Sequence, residues 1–108
     1  MINERLIVYR TATGSVPYAE YVDSLKDRAG ASRIRARVRR AGLGNLGDHR
    51  GVGEGVVELR IHCGPGYRVY LGLQGEELIV LLCAGDKGSQ EGDILKALDY
   101  WDRFRRNE

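Results

Sequence analysis

The sequence predicts an α+β domain in the order β-αα-βββ-α: a small antiparallel sheet flanked by a helical hairpin and a C-terminal helix. Three observations carry this. Residues 56–83 hold three runs rich in Val, Ile, Leu and Tyr, parted by Gly64-Pro65-Gly66 and by residues 74–76, and such runs between turn residues mark consecutive strands. Two shorter segments within residues 17–41 repeat apolar residues at helical spacing. Residues 90–105 place Ile94, Ala97, Leu98, Trp101 and Phe104 at i, i+3, i+4, i+7 and i+10, the stripe of a helix lying on a core.

Taken in order, residues 5–10 (RLIVYR) form a first strand, ended by the small polar residues 11–15. Ser15 is placed to cap a helix whose first turn holds Pro17; Tyr18, Tyr21, Val22 and Leu25 continue it to about residue 27. Ala29-Gly30 then turns the chain into a second helix, residues 32–41, with Ile34, Val38 and Ala41 buried and Gly42 at its C-terminal end. A short connection makes the two helices antiparallel neighbours. Residues 42–55 contain six glycines in fourteen positions and read as a mobile loop, functional or a slack connector.

Side chains alternate across a strand, so Val57, Leu59, Ile61 and Cys63 share one face and Glu58, Arg60 and His62 the other. A three-residue turn at Gly64-Pro65-Gly66 pairs Cys63 with Tyr67, Ile61 with Val69 and Leu59 with Leu71. It also sets His62 opposite Arg68 and Arg60 opposite Tyr70. One face is then core, and the other gathers Arg60, His62, Arg68 and Tyr70. In the third strand Leu78, Val80 and Leu82 continue the core face. Ile79, Leu81 and Cys83 are apolar on the other side, so this strand is central and covered on both faces, the last helix being one cover. Ser89 can cap that helix, Glu91 and Asp93 suit its first turn, and Lys87 lies just before it, where free backbone N–H groups can meet a phosphate. Asp93 and Tyr100 share a helix face away from the core stripe.

At 108 residues the chain is one domain, residues 1–108, able to bury roughly two thirds of its unfolded surface without disulfide or metal. No apolar run approaches the roughly 18 residues of a membrane span, and the charged start MINERLIVYR is unlike a signal peptide; a cytoplasmic protein is expected. Cys63 and Cys83 fall on opposite faces, which argues against a disulfide, and their spacing matches no zinc motif. The net charge is only +2, but Arg33, Arg35, Arg37, Arg39 and Arg40 crowd one segment and Arg103, Arg105 and Arg106 another. Such stripes fit an anionic partner, nucleic acid or an acidic protein, or are a solvated helix face.

The segments GVGEGVVELRIHCGPGYRVYLG and LLCAGDKGSQEGDILKALDYW resemble the RelE/ParE superfamily of bacterial toxins, most closely its phage-derived, HigB-like "addiction module killer" branch. The likeness covers residues 52–101 and rests on ELRI, GPGYRVY, GDK and SQ–DI occurring together in the family's order. Cys63 stands where an aromatic is expected, and Ala84 and Gly88 where Gly and Ser are expected. The resemblance implies a RelE-like fold and a toxin encoded beside a neutralising antitoxin. Enzymatic members cut mRNA in the ribosomal A site, without a metal or small-molecule cofactor, through the RNA's own 2′-hydroxyl.

That reaction needs a base for the 2′-OH proton, cations for the phosphorane and an acid for the 5′-oxygen. Arg60, Arg68 and Lys87 are assigned to the phosphate, since guanidinium makes paired hydrogen bonds to phosphate oxygens. His62 is the acid–base candidate. Tyr70 or Tyr100 could stack on a base or position a hydroxyl, and Arg35, Arg37 and Arg39 are further RNA-binding candidates. The plainer reading pairs Arg60 and Arg68 with Glu58 and Asp93 as a surface ion cluster. Competing functions are a DNA gyrase poison without nuclease activity and a protein that only binds its antitoxin. The partners expected are that antitoxin, by its acidic segment, and mRNA on the ribosome.

Overall fold

The computed structural model describes residues 5–107. In chain order these form β1 (Leu6–Val8), α1 (Pro17–Ser24), α2 (Arg28–Gly42), β2 (His49–Gly53), β3 (Val56–Ile61), β4 (Tyr67–Gln74), β5 (Leu78–Asp86), a 3₁₀ turn (Lys87–Ser89) and α3 (Gln90–Arg105). The fold is α+β, with one five-stranded sheet in the order β1-β5-β4-β3-β2. Strands β2 to β5 are an antiparallel meander, but β1 runs parallel to β5, so the sheet is mixed rather than antiparallel. The connection between this parallel pair holds both helices and β2 to β4, well beyond the dozen or so residues such a crossover requires.

The glycine-rich stretch expected as a loop contains a strand. β2 pairs with β3 through His49↔Leu59, Arg50↔Glu58 and Gly51↔Val57, then slips at a bulge before Gly53↔Val56. Glu54 and Gly55 close this hairpin with φ of 57° and 89°, the left-handed pair of a two-residue hairpin turn. Trp101 Nε1 donates to the Glu54 carbonyl at 2.8 Å, tying the turn to α3.

The sheet is covered on both faces. On one, Val22 of α1 and Ala31, Ile34, Val38 and Ala41 of α2 pack on Leu59, Ile61, Tyr67, Val69, Leu71, Ile79 and Leu81. On the other, Ala97 and Trp101 of α3 pack on Val56, Tyr70, Val80, Leu82 and Cys83. Gly72 makes the second packing possible: a Cβ there would come within 2.2 Å of the Trp101 ring. The expected split of β5 is corrected on two counts. Ile79 and Leu81 face the helical hairpin while Val80 faces α3, and a bulge between Tyr70↔Cys83 and Leu71↔Leu81 resets the alternation, so Leu82 and Cys83 both join the α3 side. Cys63 and Cys83 lie on opposite faces, both as free thiols.

The β3–β4 register also differs from expectation. Ile61 pairs with Tyr67, Arg60 with Arg68, Leu59 with Val69 and Glu58 with Tyr70. The connection is five residues, 62–66, not three, with Gly64 and Gly66 at φ of 54° and 83°. Lengthening the turn by two residues keeps every side chain on its face but changes every partner.

The helical boundaries move as well. α1 ends at Ser24, and Val16, not Ser15, is its N-cap. α2 begins at Arg28, capped by Asp27, whose Oδ1 accepts from Gly30 N at 2.9 Å. Gly30 is therefore not a break. It lies inside the first turn because Tyr67 packs against it, 2.6 Å from where a Cβ would sit, and the Tyr67 hydroxyl donates to Asp27 Oδ2 at 2.8 Å. No helix of the described residues is long and apolar enough to cross a membrane.

Candidate functional site

The α3 face of the sheet carries two polar rows near the β3–β4 turn. Arg50, Glu58, Tyr70 and Cys83 are consecutive cross-strand neighbours, and beside them run Arg60, Arg68 and Gly85. Glu58 is fully buried. Its Oε2 accepts from the Tyr70 hydroxyl at 2.9 Å and from Gln90 Nε2 at 2.8 Å, and its Oε1 from Arg50 Nε at 2.9 Å. Burial works to raise the carboxyl pKa, but the bonds from Arg50, Gln90 and Tyr70 outweigh it and hold the group below the ordinary glutamate value. Burial and Glu58 together push the Tyr70 hydroxyl up. The ELRI, GYRVY and SQ segments thus meet at one ionised carboxylate, through Glu58, Tyr70 and Gln90.

The second row is cationic. Arg68 is 8% exposed. Its Nη1 reaches the Gly66 and Tyr67 carbonyls at 3.4 and 3.3 Å, and its Nε has no hydrogen-bond partner among the described residues. Arg60, directly opposite, has its Nε 3.8 Å from Glu58 Oε1, a charge contact beyond hydrogen-bond length. Asp93 does not pair with Arg68; its Oδ2 lies over Gly85 and accepts from Ser89 Oγ. The plainer reading of two surface ion pairs therefore fails for Arg68. Lys87 is exposed, and its Cβ comes within 3.5 Å of a Cβ position at Gly66, which is itself 3.6 Å from Arg68 Nη1. The structure thus brings Arg60, Arg68 and Lys87 to one end of the sheet. The backbone donors expected beside Lys87 are already used: Asp86 Oδ1 accepts from Gly88 N at 2.8 Å and Ser89 N at 3.2 Å. Ser89 itself makes no side-chain cap to α3.

Three other candidates are not placed for the roles expected of them. His62 is not opposite Arg68. It lies beyond the end of β3, exposed, with Nε2 hydrogen-bonded to Asp48 Oδ2. That bond, ahead of the partial burial opposing it, holds Asp48 below the ordinary aspartate value. Tyr70 is fully buried under Glu58 and Gln90, so it has no face for an RNA base. Tyr100 is partly buried and stacks on Tyr9, ring centroids 4.9 Å apart; burial first, then nearby Cys83, raises its hydroxyl pKa.

The α2 arginines are not one stripe, because residues two apart lie on opposite sides of a helix. Arg35 pairs with Asp23 at 3.3 Å, and Arg39 is exposed at the last turn. Arg37 turns inward, its guanidinium donating to the carbonyls of Arg60 at 2.5 Å, Leu46 at 2.7 Å and Asp48 at 3.1 Å. With Arg33 and Arg40 it lines a groove of about 410 Å³ that Arg60, Ile61 and His62 close from the β3 side.

The sequence reading missed three participants. Arg50 was hidden because β2 was not seen as a strand. Gln90 stands in the SQ segment and was readable there. Asp48 sits among glycines with nothing nearby to pair it with His62.

No protein-family model and no solved structure matches this chain. A Haemophilus influenzae (strain Rd) protein, named only as an uncharacterized protein, is 42% identical over 83 residues, covering 77% of this chain and 84% of that one. The chain belongs to the same family as that protein.

Proposed function

We propose that this family member is the toxin of a type II toxin–antitoxin pair: a RelE/ParE-type, HigB-like endoribonuclease that cuts mRNA on the ribosome. The observation that carries the reading is the Arg60–Arg68 pair. Two guanidiniums directly opposite on a sheet repel, and a buried cation without a carboxylate is costly. A phosphate between them would relieve both. Lys87 beside the Gly66 turn adds a third positive charge on the same side.

In the proposed reaction the 2′-oxygen attacks phosphorus, a 2′,3′-cyclic phosphate forms, and the bond to the 5′-oxygen breaks. Arg60, Arg68 and Lys87 stabilise the charge on the phosphorane oxygens. His62 moves the proton. Its Nε2 is held by Asp48, which fixes the ring as a carboxylate does for other catalytic imidazoles. It follows Arg60 by two positions, at most about 7 Å along extended chain. The expected protein partner is an antitoxin whose acidic segment covers the Arg60 face or the Arg37 groove.

Primer-extension mapping of a reporter mRNA after induction, with and without a translation block, tests this. Cuts inside the reading frame that vanish when translation stops support the reading, and their absence rejects it. A second reading, a gyrase poison without nuclease activity, draws on the fact that Arg60, not His62, faces Arg68: the arginine row then holds no acid–base group. Disturbed DNA supercoiling with intact mRNA would select it.

A further inference from the structure

We propose that Arg50 is a further phosphate-contacting cation of this site and that Glu58 is the residue that positions it. This rests on reading the Arg60–Arg68 row as a phosphate site. Arg50 belongs to β2, the strand at the sheet edge, and its cross-strand partner is Glu58. Only Nε is committed: it donates to Glu58 Oε1 at 2.9 Å, and no described residue accepts from its two terminal nitrogens. Those nitrogens belong to a side chain 46% exposed. Arg60 Nε lies 3.8 Å from the same Oε1. One buried oxygen therefore gathers two guanidiniums, from neighbouring strands, beside a third on Arg68.

The rest of Glu58 explains why this oxygen stays put. Its Oε2 is saturated by Tyr70 and Gln90, which come from β4 and α3. The carboxylate is thus clamped by two elements and presents Oε1 toward a third. A fork held at Nε keeps its outer N–H pair free for the bidentate contact that phosphate oxygens accept. Among Arg50, Arg60, Arg68 and Lys87 the site would carry four positive charges against two negative ones, the buried Glu58 and Asp93 over Gly85. That excess fits a phosphodiester and not a neutral ligand.

The test is a titration of inorganic phosphate into the full chain, followed by NMR of the arginine Nε–Hε signals, in the wild type, Arg50→Ala, Arg50→Lys and Glu58→Gln. The proposal expects the Arg50, Arg60 and Arg68 signals to shift with one common dissociation constant. It expects Arg50→Ala to weaken binding about tenfold and Arg50→Lys to restore only part of it. Glu58→Gln, which keeps acceptors for Tyr70 and Gln90 but offers Arg50 an amide, should match Arg50→Ala. The double variant should be no weaker than either single one, because the two act as one unit. Arg50→Ala binding within twofold of wild type overturns the proposal, as do additive losses in the double variant. Arg50 lies at an exposed edge, so its variants stay informative if Glu58→Gln misfolds. Phosphate shifts at Arg68 without in-frame mRNA cuts would reject the nuclease and leave the anion site standing. Cuts with no effect of Arg50→Ala would do the reverse.

Discussion

Arg60 and Arg68 face each other across the β3–β4 ladder, and no carboxylate of the described residues is within hydrogen-bond reach of either. A fold selected for stability alone would not place them so, since one charge opposes another and one of them is buried. Arg68→Met should therefore stabilise the free protein by about 1 kcal/mol, a rise of about 4–8 °C in Tm, and under the proposed function it should abolish mRNA cleavage. Calorimetry and the reporter assay read the two effects separately. A lower Tm would make Arg68 a structural residue.

Glu58 sets an acid limit on stability. Its folded-state pKa lies below the ordinary value, so it contributes stability at pH above the unfolded value of about 4.3. That contribution is lost as pH falls through the folded pKa. Urea midpoints should be flat from pH 7 to 5 on this account and fall below about pH 4, and Glu58→Gln should flatten the acid limb. Glu58 is buried and accepts three hydrogen bonds, so replacing it with a neutral amide costs about 1–3 kcal/mol and the variant also starts from a lower midpoint. An unchanged acid limb in Glu58→Gln would assign the loss to other carboxylates.

Gly72 is needed for the approach of α3. A methyl group there meets the Trp101 ring at 2.2 Å, and Gly72→Ala should cost about 2–3 kcal/mol by overpacking. Trp101→Leu, itself costly because the ring is 2% exposed, should make the second substitution cheaper than it is alone. Strictly additive losses in denaturant would show that the strand and helix separate without consequence.

The two thiols should react differently. Cys83 is buried, and desolvation, reinforced by Asp93, pushes it up to about 12, so almost none is thiolate at pH 8. Cys63 is only half-buried, in the β3–β4 turn. Iodoacetamide on the native protein should add one label, at Cys63, and two in denaturant, as read by mass spectrometry. Early labelling of Cys83 would mean that α3 lifts from the sheet.

Much of this arrangement could be read from residue order, and its failures have physical causes. The period-two alternation along β3 and β4 correctly set Leu59, Ile61, Val69 and Leu71 against Glu58, Arg60, Arg68 and Tyr70, because a register slip of two residues leaves faces unchanged, but the second face is also a core under α3 and His62 lies beyond it. It could not say which residues are opposite, because that depends on turn length, and Gly64 and Gly66 allow a five-residue turn as easily as a three-residue one. So Arg60, not His62, came to face Arg68. β2 was illegible because an exposed edge strand buries little and needs no apolar alternation; His49, Arg50 and Gly51 are all exposed. The bulge in β5 hid the fact that Leu82 and Cys83 share a side. The α3 stripe was legible because Ile94, Ala97, Leu98, Trp101 and Phe104 recur at helical spacing, but Tyr100, expected on a face away from it, also packs against this core and stacks on Tyr9.

Strand order carries a last consequence, for the order of assembly. From β2 to β5 every pairing joins neighbours in sequence, closed by short turns, whereas β1 must find β5 from the far end of the chain. Loop-closure entropy makes the near contacts form first and the distant one last. The arginine row is laid down by these near contacts, so it should be built before the sheet is complete. A chain emerging from the exit tunnel would then carry a formed cationic patch while its first strand is still waiting for a partner. Pulse-labelled hydrogen exchange during refolding reads this directly: amides of β3 and β4 should gain protection before those of Ile7 and Val8, and simultaneous protection would contradict it.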